Sequence, residues 1–129
     1  MKIRWTNDSI RLRITPTELD ALLHDEAIAE ALHIPGGAIW EAVIRPSPRD
    51  ATRLGGDAHC AVIYLSSEDR DRLADATQEG VYFSEADHGV RYFIEKDFPC
   101  VHPRALEAME PPSETFSPPT DFAERKSAV

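Results

Sequence analysis

One local pattern occurs twice in this chain, 51 positions apart. Thr15-Pro16-Thr17-Glu18 offers an N-cap hydroxyl, a proline at the first helical position and an acid three residues after the cap, ahead of Leu19, Leu22 and Leu23. Ser66-Ser67-Glu68-Asp69 repeats the hydroxyl and the acid, and Leu73 falls where Leu22 fell. An N-cap residue has extended backbone, so each pattern predicts a short helix entered directly from a strand. The first ends near His24, and the second closes through Ala76-Thr77-Gln78-Glu79 on Gly80. Two such units suggest a duplication, with a period too long and too few copies for a solenoid.

The flanking segments alternate. Ile3, Trp5, Ile10, Leu12 and Ile14 share one side of a hairpin turned by Thr6-Asn7-Asp8-Ser9, while Lys2, Arg4, Arg11 and Arg13 share the other. Residues 27–34 are read as a strand through Ile28, Leu32 and Ile34, although their alanines also suit a helix, Pro35-Gly36-Gly37 as a turn, and Ala38 to Ile44 as a further strand. Cys60 to Leu65, Val81 to Ser84 and Val90 to Phe98 are also strands, the last two joined at Asp87-His88-Gly89. Residues 45–58, with Pro46, Pro48, Gly55 and Gly56, are expected to form a long loop. Each half is then strand, capped helix, strand, strand.

These elements predict one α+β domain over residues 1–104, with about seven mostly antiparallel strands and two short helices. The expected form is a curved sheet or partly closed barrel containing a duplicated strand-helix-strand unit. Six prolines from Pro99 to Pro119 interrupt the remainder, so residues 105–129 are expected to form an acidic tail with little regular structure; the alternative, left open by Val101, Phe116 and Phe122, is that parts of the segment after Pro99 are pinned across the domain. The whole chain, at 129 residues, fits a single domain better than two cores near the lower size limit for folding alone.

Charge and cysteine content narrow the function classes. The chain carries 14 Lys and Arg against 23 Asp and Glu, a net charge of −9, which repels nucleic-acid phosphates and anionic lipid at long range. Neither nucleic acid nor membrane is therefore an expected partner. The N-terminal segment turns polar before a signal-peptide core develops, and the two cysteines are too few for a disulfide scaffold. A cytoplasmic protein with reduced thiols is the expectation. The glycine pairs lack the spacing of a phosphate-binding loop, and no zinc, redox or nucleophile-elbow signature occurs.

Two constellations have chemical capacity. The Lys2, Arg4, Arg11 and Arg13 face gathers four of 14 basic residues, and guanidinium forks suit phosphate or carboxylate. The structural alternative is pairing with Glu95 and Asp97, which share one side of the last strand. Farther on, Glu95-Lys96-Asp97-Phe98-Pro99-Cys100-Val101-His102-Pro103-Arg104 brings carboxylate, thiol and imidazole together, and Cys100 and His102 have the softness and spacing for a transition metal.

The segments Asn7-Asp8-Ser9-Ile10-Arg11-Leu12-Arg13-Ile14-Thr15, with Glu18, and Ile94-Glu95-Lys96-Asp97-Phe98-Pro99-Cys100 resemble the two ends of a small family of uncharacterised bacterial proteins. That family opens with Asn-Ser-[Ile/Leu]-Arg-Leu-Arg and closes its last strand with Glu-Lys-Asp-Phe-x-Cys; here Asp8 intervenes between Asn7 and Ser9. The resemblance covers residues 1–104 in element order and implies a bacterial, cytoplasmic domain of unknown function, with no activity to carry over. The expected function is non-enzymatic binding of a protein partner or a small ligand, anionic ligands included, through Arg11, Arg13, Glu95, Lys96, Asp97 and Arg104. No cofactor is expected on this reading. The alternative is a metal-dependent or thiol enzyme centred on Cys100 and His102.

Overall fold

Thr15 and Ser66 both cap helices in the computed structural model, which describes residues 1–85 and 89–98. The Thr15 hydroxyl accepts from the Glu18 N–H while the Glu18 carboxylate accepts from the Thr15 N–H at 2.9 Å, closing a capping box. At the second cap the Ser66 hydroxyl accepts from the Asp69 N–H at 3.1 Å.

The elements run β1 (Lys2–Thr6), β2 (Ser9–Ile14), α1 (Pro16–Leu23), β3 (Ile28–Ile34) and β4 (Ala38–Pro46). Then come β5 (Arg53–Asp57), β6 (Cys60–Leu65), α2 (Ser67–Ala74), β7 (Gly80–Glu85) and β8 (Val90–Lys96). From β1 to α1 and from β5 to α2, every boundary recurs at an offset of 51 residues. The duplicated unit is hairpin, helix, hairpin, and not the strand, helix, strand, strand expected from sequence.

This difference traces to β5. Proline and glycine made residues 45–58 resemble a loop, yet Arg53–Asp57 pairs antiparallel with β6 along its whole length. The pairing imposes a strand that local propensity did not announce.

The eight described strands form two four-stranded sheets, β1-β2-β8-β7 and β3-β4-β6-β5, in place of one curved sheet or partly closed barrel of seven. Each sheet takes one hairpin from each half of the chain. The hairpins are antiparallel, but the halves meet through parallel pairs, β2 with β8 and β4 with β6. Exchanging the two halves converts one strand order into the other, which is the topology of an internal two-fold.

A continuous core joins the sheets and helices. Ile10, Leu12, Ile14, Tyr92 and Ile94 from the first sheet share it with Ala42, Ile44, Ile63 and Leu65 from the second. Leu22 of α1 and Leu73 of α2 are fully buried in the same cluster, at the end where β2 and β6 finish. Arg70 of α2 links the helices by donating to the Leu22 carbonyl at 3.0 Å and to Asp25. The unit Met1–Asp97 is the part of the chain that carries this architecture. Of the expected tail, residues 105–129 with Phe116 and Phe122, and of the expected Asp87-His88 turn, the positions fall outside the described residues.

Candidate functional site

The helices close one end of the core; among the described residues the other end is open. There the β1–β2 and β5–β6 turns and the beginnings of β4 and β8 surround a cleft of about 810 Å3. Trp5 of β1 and Trp40 of β4 meet edge to face across it, with ring centroids 4.8 Å apart and planes at 60°. That geometry suits two aromatic quadrupoles. Leu32 and Ile34 extend the apolar lining along the edge hairpin, and Ile10, Leu54, Ala61 and Val90 complete it. Trp5 is 56% exposed and Leu32 is 55% exposed, large apolar surfaces that would ordinarily be covered.

The cleft follows from an asymmetry between the halves. By strand register Trp5 lies opposite Ile10, and its equivalent Gly56 lies opposite Ala61. Gly56 has φ +134, and a Cβ there would collide with the Cys60 carbonyl. A large ring is thereby excluded where the first half has Trp5. Similarly, register makes Val90 the counterpart of Trp40, so one half supplies two indoles and the other supplies space.

Among the described residues, Asp8 and Asp57 are the charged residues that line the cleft. Asp8 accepts from the Thr6 hydroxyl at 2.9 Å and lies 3.7 Å from Arg91, while Asp57 accepts from the His59 N–H at 2.8 Å. Cys60 also lines it, as a free thiol. Burial, followed by the nearby Asp57 and Glu41 carboxylates, pushes its pKa up, the wrong direction for a nucleophile at neutral pH. The site has an apolar interior, and among the described residues its charged lining is the two carboxylates, with the Arg91 guanidinium 3.7 Å from Asp8.

The residues singled out from sequence lie elsewhere. Arg11 and Arg13 occupy the outer face of the first sheet, with Leu12 in the core between them. Parallel pairing sets Arg13 beside Glu95, but the ion pair runs from Arg11 Nε to Glu95 at 3.2 Å. Arg11 also stacks over Phe93, its guanidinium carbon 5.2 Å from the ring centroid. Asp97 pairs with Lys2 at 3.1 Å. Lys96 leaves this cluster: it follows the inward series of Tyr92 and Ile94, and its Nζ donates to the Asp75 carbonyl at 2.8 Å. Cys100, His102 and Arg104 lie outside the described residues. Among the described residues no group of three or more His, Cys, Asp or Glu is arranged to hold a metal ion.

Behind the second cap is a buried polar network. Thr52 Oγ1 donates to Asp69 at 2.5 Å and accepts from the Ser66 N–H at 2.9 Å, while Ser66 Oγ donates to Asp69 at 3.0 Å. Tyr92 contributes a hydroxyl that donates to Glu85 at 2.8 Å. Burial, followed by the Glu85 carboxylate, pushes its phenol well above the ordinary range. Every partner is satisfied within the protein, which marks this network as architectural.

Sequence reasoning missed the cleft. Alternation placed Trp5 on the inward side, but only packing of the sheets brings Trp40 to it.

The fold and cleft define a duplicated two-sheet α+β protein with an open apolar site at its turn end. The chain belongs to a family of unknown function, DUF7009, which matches residues 1–120. No curated protein and no solved structure matches it significantly. No helix among the described residues is long and apolar enough to cross a membrane.

Proposed function

We propose that this chain is a non-enzymatic binding protein whose turn-end cleft takes a small molecule with a flat, apolar body and no negative charge. The observation that carries this reading is the cleft itself. Its volume of about 810 Å3 lies in the range of small-molecule sites, which are mostly apolar with a few placed polar groups. The Trp5 and Trp40 rings offer stacking surfaces, and the Asp8 and Asp57 carboxylates disfavour an anion. Neutral or cationic ligands fit that field. Burial and the neighbouring Asp57 and Glu41 carboxylates push the Cys60 pKa up, which disfavours thiolate chemistry there.

The test uses N-phenyl-1-naphthylamine, an uncharged apolar fluorophore, titrated into the intact chain and into Val90→Trp. The substitution places a second-half indole at the counterpart of Trp40 and fills the space. Saturable binding with quenched tryptophan emission, weakened at least tenfold in Val90→Trp at unchanged secondary structure, supports the proposal. Absence of saturable binding to the parent, or equal binding by both proteins, rejects it.

A further inference from the structure

The hairpin that contributes Trp5 and Ile10 to the cleft carries four cations on its opposite side. Register places Lys2 directly across from Arg13 and Arg4 directly across from Arg11. Like charges in opposed cross-strand positions destabilise a sheet. A protein of net charge −9, rich in acids, nevertheless has two such pairs in succession.

Nearby acids compensate in part. Glu95 lies against Arg11 and Asp97 against Lys2, whereas Arg13 has no ion pair among the described residues. Lys2, Arg4, Arg11 and Arg13 line a hollow of about 150 Å3, and among the described residues the charged groups that line it are cations. Arg11 is held for this role: its Nε faces Glu95, and its guanidinium lies over Phe93, which in turn packs on Tyr82 at 5.6 Å.

The internal repeat supplies a control. Equivalent positions in the β5–β6 hairpin are Arg53, Gly55, Val62 and Tyr64, again paired Arg53 with Tyr64 and Gly55 with Val62. That face holds one cation, stacked 4.0 Å from the centroid of the Tyr64 ring. The same hairpin geometry therefore forms without the basic quartet, so the fold does not require it.

We infer that the outer face of the β1–β2 hairpin binds the phosphoryl group of a small molecule. A phosphoryl dianion in the hollow supplies the counter-charge that Arg13 lacks among the described residues, and guanidinium groups match its oxygens with paired donors. The hollow accommodates one such group with the rest of the ligand outside. The protein's overall negative charge excludes long polyanions in favour of a ligand with few charges. This site stands on the opposite face of the sheet from the cleft and does not rest on the reading proposed for it.

The probe is inorganic phosphate, titrated at constant ionic strength while the arginine Nε–Hε resonances are followed by NMR, with acetate and chloride as parallel arms. Saturable shifts of Arg11 and Arg13 with phosphate, at least fivefold weaker binding in Arg13→Gln, and unchanged binding in Arg53→Gln support the site. Equal responses to phosphate, acetate and chloride overturn it, as does undiminished phosphate binding by Arg13→Gln. Arg13 is on the outer face, and unchanged dispersion of the other resonances verifies that the variant is folded.

Discussion

Gly56 stands in the second half of the chain where Trp5 stands in the first, each in the same register with its hairpin partner. A two-fold built from identical halves would place two large rings at the open end; here one of them is deleted to backbone. The inequality leaves the cleft on an otherwise paired scaffold.

Gly56→Ala is expected to destabilise the protein by about 2 kcal/mol or more, because the added Cβ meets the Cys60 carbonyl and φ is positive. Gly37 offers the contrast. Its φ is +100, but no heavy atom lies within 4 Å of the position an alanine Cβ would take, so Gly37→Ala should cost less, about 1 kcal/mol. Urea denaturation compares the two, and equal losses would remove the steric account of β5.

Leu22 and Leu73 occupy equivalent helix positions and are both 0% exposed. Truncation to alanine should cost about 2–5 kcal/mol at each, and similar losses are expected because both enter the same core. A loss below about 1 kcal/mol at either site, read from equilibrium unfolding, would contradict the shared core.

Ser66→Ala leaves the Asp69 N–H without its cap and removes a donor to the Asp69 carboxylate, while Thr15→Ala removes a cap nearer the surface. The buried change should cost about 2–3 kcal/mol and the other about 1 kcal/mol. Thermal unfolding of the two variants ranks them, and the reverse order would show that the buried network contributes less than its bonding suggests.

Glu18 gives an acid-limb prediction. Burial alone would raise its pKa, but the Met1 amino group at 2.7 Å and the Thr15 bonds outweigh that and lower it below 4.5. A lowered folded-state pKa stabilises above the ordinary value and is lost as pH falls through the folded one. Glu18→Gln, which retains an acceptor for the cap, should therefore be less stable at pH 7 by about 0.5–1 kcal/mol. The two proteins should converge in acid; a difference independent of pH would mean that the charge is irrelevant.

For Arg11 and Glu95, a double-alanine cycle should give a coupling of about 0.5–1 kcal/mol that shrinks with added salt. The corresponding Arg13 and Glu95 cycle should approach additivity, because register adjacency alone does not place their charges in contact. Larger coupling for Arg13 would reassign the pair.

Local chemistry made much of the secondary structure readable. Cap residues at Thr15 and Ser66, the Pro35-Gly36-Gly37 turn and the alternation in β1 and β2 act over a few residues, so their effects can be recognised without knowing the partner strand. The same alternation put Arg11 and Arg13 on the face shared with Glu95, since side-chain direction along a strand is intrinsic to its pleat.

What tertiary structure decided was which segments meet. Arg53–Asp57 becomes β5 because β6 offers hydrogen-bond partners to a glycine-containing segment with little strand propensity of its own. Parallel pairing of β2 with β8 and β4 with β6 divides each half between two sheets, a choice made over long sequence separations by burial of Leu12, Ile44, Ile63 and Ile94 in one core. The Trp5–Trp40 contact and the cleft exist only after that division. Alternation determines the side of a strand on which a residue lies, whereas the packing of separate sheets determines what stands opposite it.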